Sequence, residues 1–138
     1  MTGVYKHSLD NKGRIFIPTK LREDLGDMFF ITVSVDNCLC AYSAADWKGL
    51  TDKVNSMPYI NQRKMRPLYA YASRCDLDAQ GRVLIPQGLR NFAGLVKDVT
   101  VVGCNNHIEF WDSGTWESVY MKELSPENLA AAMKELNF

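Results

Sequence analysis

Residues 9–22 read LDNKGRIFIPTKLR, and residues 77–90 read LDAQGRVLIPQGLR. Eight of the fourteen positions are identical, at a constant offset of 68 residues (Leu9 to Leu77). A repeat that is longer than a solenoid unit and occurs only twice indicates two copies of a small domain. Two such copies in one chain can pair about a pseudo-twofold axis, as two chains pair in a dimer.

The repeat identifies the residues on which each copy depends. Four motif positions recur as pairs: Asp10 and Asp78, Gly13 and Gly81, Arg14 and Arg82, and Pro18 and Pro86. Beyond the motif, the strand-like residues 31–35 match residues 99–103 at the same offset. Trp47 and Trp116 are one position out of step, which predicts a single-residue insertion before the second Trp.

The pattern predicts four segments along the chain. We expect repeat units at residues 4–57 and 73–124, a helical connector at residues 58–72 and an amphipathic C-terminal helix at residues 125–138. Each unit contains only short strands, which are too few for an independent core. We therefore expect the two units to be interlocked halves of one β-structure.

Turn and capping residues place the motif between two strands. We expect one strand at residues 5–9 and a second, short strand at residues 14–17. Residues 10–13 predict a turn, because Asp and Asn accept local backbone hydrogen bonds and Gly tolerates positive φ. Pro18 fits the first turn of a short helix, since proline has no amide hydrogen to lose there. Ser43 can cap a later helix that carries Trp47, with Asp46 three residues on as in a capping box.

The composition favours a cytosolic protein. With 138 residues and 46% hydrophobic side chains, the chain suits one domain or two small intertwined ones. No stretch of the sequence approaches the apolar length of a membrane span, and the N-terminus lacks a signal-peptide pattern. We therefore expect a cytoplasmic protein that has no membrane partner.

The cysteines do not predict a metal site. They are Cys38, Cys40, Cys75 and Cys104, and no pair of them shows the CxxC spacing of zinc sites. At an offset of 68, the partners of the first two are Asn106 and Ile108, so a repeat-symmetric set of ligands is not expected. We expect reduced, partly buried thiols, no metal and no cofactor.

Charge is segregated along the chain although the net charge is zero. Residues 1–22 carry five basic groups against one acid, and residues 59–90 carry six against two. Residues 109–138 carry six acids against two basic groups. This distribution predicts a basic face opposed to an acidic one if both motif copies share a surface. A mixed, solvated surface is the alternative.

The motif resembles that of a known fold. A strand, then D-x-x-G-R, aliphatic residues, Pro and L-R at a helix, resembles the swapped-hairpin fold of the AbrB-type DNA-binding proteins. Two copies in a chain of this length, with a helix after each unit, resemble the MraZ family over essentially the whole sequence. The resemblance implies an α+β fold with two intertwined swapped-hairpin β-barrel repeats and flanking helices.

The same resemblance implies a function. It implies a transcriptional regulator, expected to be a repressor, that acts at its own promoter ahead of the division and cell-wall gene cluster. It also implies a ring-shaped homo-oligomer that binds short direct repeats of double-stranded DNA. Such a protein would be cytoplasmic and associated with the nucleoid.

The chemistry of the motif suits contact with DNA. Arginine offers a planar fork of donors that fits the guanine edge in the major groove or a phosphate. The motif aspartate lies four residues before each arginine, and it could orient the guanidinium or form a purely structural ion pair. We expect DNA contact foremost at Arg14. The eight candidate DNA-binding residues are Lys6, Lys12, Arg14, Lys20, Arg22, Arg74, Arg82 and Arg90.

The second copy carries less positive charge than the first. Gln80 stands where the first copy has Lys12, and Gly88 stands where it has Lys20. We therefore expect the second copy to bind DNA more weakly or mainly to complete the fold.

Other functional classes are less well supported. His7 and His107 are not equivalent in the repeat, and no Ser or Cys lies in a nucleophile motif. The glycines form no phosphate-binding loop, and the acids Asp76 and Asp78 flank a turn beside basic groups. We therefore expect that the protein is not an enzyme. A structural or protein-interaction ring without specific DNA binding is the alternative, and the acidic C-terminal region would suit it.

Overall fold

The computed structural model of the protein describes residues 1–138, apart from the side chain of Met121. Its strands are β1 (Thr2–Ser8), β2 (Arg14–Phe16), β3 (Met28–Val33), β4 (Leu39–Ser43), β5 (Ser73–Asp76), β6 (Arg82–Leu84), β7 (Asp98–Cys104) and β8 (Ile108–Asp112). Its helices are α1 (Thr19–Leu25), α2 (Ala44–Asn55), α3 (Tyr59–Lys64), α4 (Arg66–Ala70), α5 (Gln87–Ala93), α6 (Ser113–Glu123) and α7 (Pro126–Glu135). These elements confirm the predicted α+β class.

The two copies of the motif exchange strands. Six strands form one antiparallel sheet in the order β1-β7-β8-β4-β3-β5, and β2 pairs with β6 in a separate ribbon. The first strand of each copy pairs with the other copy, because β1 lies on β7 and β5 lies on β3. The expected barrel is not closed, since β1 and β5 are the two edges of the sheet.

The ribbon covers one face of the sheet and closes the core. Ile15 of β2 and Val83 of β6 are at most 1% exposed and belong to the same apolar cluster as Phe29 and Phe110 of the sheet. Replacing a fully buried Ile by Ala typically costs about 2–5 kcal/mol. The short ribbon strands are therefore held in place mainly by the packing of their inner side chains.

A pseudo-twofold axis passes through both sheets. In the ribbon, Ile15 pairs with Val83, which is its own equivalent in the repeat. In the six-stranded sheet, Cys40 pairs with Glu109 at the middle of the β4–β8 ladder. The two copies are thus arranged as two chains would be in an isologous dimer.

The strand pairing corrects one predicted match. Tyr5 pairs with Val101, and its repeat equivalent Ser73 pairs with Ile31. Ile31 therefore corresponds to Val101, at an offset of 70, and the predicted match with Val99 is wrong. The second copy has two extra residues between its short helix and β7. Its β7 is one residue longer than β3 and the turn that follows is two residues shorter, which is a net loss of one residue. Changes of chain length concentrate in such loops because a loop carries few packing contacts.

Two tryptophans anchor helices on the second face of the sheet. Trp47 of α2 stacks on Phe30 with ring centroids 5.0 Å apart, and Trp116 of α6 lies 5.7 Å from Trp111. The predicted cap of α2 is confirmed, since the hydroxyl of Ser43 accepts from a helix N–H at 3.1 Å. The predicted single-residue insertion before Trp116 is the net result of two extra residues before β7 and a loss of one residue between the starts of β7 and β8.

The C-terminal helix extends from the rest of the fold. Its apolar stripe is exposed and consists of Leu129, Met133 and Leu136. The proposed division at residues 57, 72 and 124 stays a prediction, because both repeats share one sheet. Within the described part of the chain, no helix is both long and apolar enough to cross a membrane.

Candidate nucleic-acid interface

One aspartate closes the turn of each motif. Oδ1 of Asp10 accepts hydrogen bonds from the backbone N–H groups of Lys12 and Arg14, both at 2.9 Å. Its carbonyl accepts a third bond, at 3.0 Å, from the N–H of Gly13, which adopts a φ of +82°. The second copy repeats all three bonds around Asp78. The predicted turn is therefore confirmed in both copies.

The same aspartate holds the motif arginine. Nε of Arg14 donates to Oδ2 of Asp10 at 2.6 Å, and Nε of Arg82 donates to Oδ2 of Asp78 at 2.8 Å. Partly exposed ion pairs of this kind stabilise a fold only slightly. Their main effect is to hold each guanidinium in one orientation through Nε, with the terminal amino groups directed elsewhere. Nη1 of Arg82 lies 3.9 Å from Oδ2 of Asp10, the aspartate of the other copy.

Hydrogen bonds keep both motif carboxylates ionised. The backbone N–H of Arg14, its side chain and the N–H of Lys12 lower the pKa of Asp10 from 3.8 to about 2. The backbone N–H of Arg82 is the main cause of a lowered pKa at Asp78. Donors to the charged form favour that form. Each motif arginine therefore faces a full negative charge at neutral pH.

The ribbon brings the two motif arginines onto one surface. Arg14 pairs with Leu84, and Arg82 pairs with Phe16 across the ribbon. Successive side chains of a strand lie on opposite faces. Because Ile15 and Val83 point into the core, the four residues on either side of them lie on the outer face of the ribbon. Phe16 is 44% exposed and Leu84 is 55% exposed. The outer face thus has two oriented cations and two apolar side chains.

The structure groups some of the other predicted basic residues with the ribbon and separates others from it. Lys12 is exposed in the first turn, and Lys20 lines a shallow pocket of about 320 Å³ together with Phe16. Lys6 pairs with a residue of β7 and lies 3.8 Å from Glu117 of α6. Arg74 pairs with Phe30, on the face of the sheet that α2 covers. Lys6 and Arg74 are therefore not brought to the ribbon surface.

Arg22 and its equivalent Arg90 each pack against the turn of the opposite repeat. Nε of Arg22 donates to the carbonyl of Ile17 at 2.7 Å, and its guanidinium lies against Gly81 of the other copy. Arg90 has the same relation to Gly13, where an added Cβ would lie 2.6 Å from Cζ of the arginine.

Sequence reasoning missed this packing role. The available signal was that the arginine ending the motif is identical in both copies, whereas Lys20 two residues earlier is not. A side chain that packs against a turn present in both copies can be replaced only if the turn changes with it, whereas an exposed lysine can be replaced on its own.

Pro18 and Pro86 are placed as the sequence predicted, at the entry to a helix. Pro18 directly precedes α1 and Pro86 directly precedes α5. The carbonyl of Pro18 accepts the N–H of Leu21 at 2.8 Å. Each proline therefore ends a ribbon strand and starts the helix that carries the supporting arginine.

Three of the cysteines, Cys38, Cys40 and Cys104, lie on the helix-covered face of the sheet, whereas Cys75 pairs with Phe29 and belongs to the core beneath the ribbon. All four are free thiols, and Cys38, Cys40 and Cys75 are buried. The structure overturns the argument that Asn106 and Ile108 are the partners of the first two. Leu39 pairs with Phe110 and Ala41 pairs with Ile108, one on each side of the Cys40–Glu109 pair. The axis passes through that central pair, so the offset between the repeats is 69 here (Cys40 to Glu109). The true partners of Cys38 and Cys40 are His107 and Glu109.

Comparison with known proteins gives a consistent set of relatives. The family described as "MraZ protein, putative antitoxin-like" matches the chain twice in succession, over residues 1–66 and 68–137. A protein of Acetivibrio thermocellus named "Transcriptional regulator MraZ" is 44% identical, covering 97% of this chain and 96% of the relative. A protein of Caldicellulosiruptor bescii with the same name is 42% identical, covering 94% and 90%. A protein of Alkaliphilus metalliredigens, again with that name, is 42% identical, covering 97% and 96%.

Proposed function

This chain belongs to the MraZ family of transcriptional regulators, and on that premise we propose that it is a sequence-specific DNA-binding repressor. The proposed target is the promoter of its own gene, ahead of the division and cell-wall gene cluster. The proposed active form is a ring-shaped homo-oligomer that binds short direct repeats, in the cytoplasm and on the nucleoid. No catalytic step is part of the proposal.

The observation that carries the proposal is the outer face of the β2–β6 ribbon. A two-stranded ribbon fits the major groove of B-DNA, and arginine can bind O6 and N7 of guanine in a bidentate manner. Arg14 and Arg82 lie on this face, each oriented by its own aspartate. Phe16 and Leu84 lie beside them and suit contact with thymine methyl groups.

The remaining basic residues take different parts in the proposal. Lys12 and Lys20 border the ribbon and suit phosphate contacts, which position a protein without reading sequence. Lys6 and Arg74 lie on the helical side of the sheet and would contribute only to the overall field. Arg22 and Arg90 act by supporting the turns that present the reading arginines.

An assembly of several copies would also cover apolar surface that a single chain leaves exposed. The stripe of α7 and the side chains of Tyr120 and Leu124 are exposed. The alternative function, a structural or protein-interaction ring without specific DNA binding, uses the same surfaces. The two functions differ only in whether the outer face of the ribbon binds DNA.

A binding assay separates these functions. The full-length protein is titrated against the DNA directly upstream of its own gene and against a shuffled fragment of equal composition, at several salt concentrations. We expect tight binding to the promoter alone, with affinity that falls steeply as salt rises because phosphate contacts release counterions. Equal affinity for both fragments, or no binding by intact oligomers at low salt, would favour the structural ring.

A further inference from the structure

Five potential metal ligands gather on the helix-covered face of the sheet: Cys38, Cys40, Cys104, His107 and Glu109. The sulfur atoms of Cys38 and Cys40 and a carboxylate oxygen of Glu109 lie within 4.8 Å of one another. The sulfur atom of Cys104, a ring nitrogen of His107 and a carboxylate oxygen of Glu109 do so as well. Glu109 therefore joins two groups of soft and borderline donors in one place.

The cluster lies on the pseudo-twofold axis. Cys40 pairs with Glu109 across the central ladder, and the offset of 69 makes His107 the equivalent of Cys38. Each repeat thus brings two donors to the axis from matching positions. The other crossing of the axis, in the ribbon, has only the apolar pair Ile15 and Val83.

We propose that this cluster binds one divalent cation of the Zn²⁺ type through Cys38, Cys40 and Glu109, with His107, which lies 3.1 Å from Glu109, as the fourth ligand. Thiolate, imidazole and carboxylate are the ligands of tetrahedral zinc sites, with bonds of about 2.0–2.3 Å. Magnesium and calcium take all-oxygen sets instead. Cys104 is a fifth donor that lies beside His107. Binding releases the two thiol protons to solvent, because thiolate and neutral imidazole are the forms that bind metal.

The surroundings of the cluster match what a metal site needs. Nε2 of His107 is 3.1 Å from Oε2 of Glu109, and its Nδ1 is 2.8 Å from Oδ1 of Asn106. Nε1 of Trp111 donates to Oε1 of Glu109 at 2.9 Å. Asn106 and Trp111 are not ligands themselves and orient the imidazole and the carboxylate from outside; the loss of such partners typically weakens metal binding about 10–100-fold.

An ion can also reach the cluster. Cys40, His107 and Glu109 line a cleft of about 530 Å³ that opens between the sheet and the helical connector. Because the donors come from both repeats, a bound cation would join the two halves of the fold. This site is independent of the ribbon, so the proposal does not rest on DNA binding.

Metal titration tests the proposal directly. Reduced, chelator-treated, full-length protein is titrated with Co²⁺ and then with Zn²⁺. We expect a thiolate-to-cobalt charge-transfer band that saturates at about one ion per chain and disappears when Zn²⁺ is added. We also expect Zn²⁺ to raise the melting temperature. Wild-type protein that shows no such band would overturn the site.

Three variants locate the ligands. Cys38→Ser combined with Cys40→Ser should lose the band and bind Zn²⁺ at least about 100-fold more weakly. Cys75→Ser is the matched control, since this buried thiol lies on β5 outside the cluster, and it should keep the band. Glu109→Gln retains an acceptor for Trp111 and should weaken Zn²⁺ binding at least about tenfold.

These variants leave a decisive result even if the double variant does not fold. In that case Glu109→Gln decides the question, with circular dichroism as the check on its fold. Unchanged Zn²⁺ affinity in the folded Glu109→Gln protein, or an unchanged band in a folded double variant, would overturn the site.

Discussion

The guanidinium of Arg90 lies against Gly13, the glycine of the turn in the opposite repeat. Arg22 lies against Gly81 in the same way. Each motif therefore ends in a side chain that packs on the beginning of the other motif. The motif turn of one copy thus depends on the helix of the other, which makes the two repeats one structural unit at the proposed interface.

Gly13→Ala should destabilise the protein more than Gly94→Ala. Both glycines have positive φ, at +82° and +65°, but a Cβ at Gly13 would collide with the guanidinium of Arg90, whereas a Cβ at Gly94 would meet nothing within 4 Å. A side chain at positive φ costs about 1–2 kcal/mol in either place, so a larger loss at Gly13 reports the packing of Arg90. The measurement is the free energy of unfolding in denaturant.

A double-mutant cycle checks the cause. Arg90→Ala should recover part of the loss in the Gly13→Ala protein, because it removes the group with which the new methyl collides. Strictly additive effects of the two substitutions would contradict the packing argument.

Arg14→Ala should abolish specific promoter binding and leave the fold and assembly intact. Each bidentate contact to guanine discriminates by about 1–3 kcal/mol, and several copies in an oligomer multiply the loss. Lys53→Ala removes the same charge from the exposed surface of α2 and is the control. Affinity is read alongside melting temperature and molecular size. Unchanged affinity, or affinity lost only through unfolding, would assign Arg14 a structural role.

The first half of the chain should not fold alone. A fragment of residues 1–57 lacks β7, the partner of β1, and β5, the outer partner of β3. It also lacks β6, so Ile15 would lose the residue it pairs with. We expect narrow amide dispersion and no cooperative melting. A well-dispersed, cooperatively melting monomer would contradict the interlocked fold.

Stability should fall in acid through the motif aspartates. The folded pKa of Asp10 is about 2, against an ordinary value of 3.8. A lowered pKa stabilises the folded state above the ordinary value, and this contribution is lost as pH falls through the folded value. Melting of wild-type and Asp10→Asn proteins should therefore converge between about pH 4 and pH 2. Asp36→Asn, in an exposed turn, is the control, and a constant difference at all pH values would exclude this linkage.

Promoter affinity should rise with the number of recognition boxes. One ribbon covers only a few base pairs, so later contacts in an oligomer become intramolecular, with gains of about 10² or more when the spacing matches. Fragments with one, two and more boxes are compared, with half-turn insertions between boxes as the geometric control. Equal affinity for one box and for the full array would indicate an independent monomeric or dimeric binder.

Much of the candidate interface could be predicted from the sequence because it is local. The bonds of Asp10 reach only two to four residues along the chain, and the positive φ of Gly13 belongs to the turn itself. The entry of α1 after Pro18 is local as well. Such contacts form within one segment, so the repeated residues LDxxGR and IPxxLR carry them in both copies.

Contacts between the repeats were decided only by the tertiary structure. The packing of Arg90 on Gly13 and the meeting of Cys38 with Glu109 join residues that are distant in sequence. The second of these depends on loops that shift the offset from 68 to 70 and then to 69. A shift of one residue moves every side chain of a strand to the opposite face of the sheet. The sequence by itself therefore determined the turns and the twofold plan, while loop length and strand register determined which residues meet on the axis.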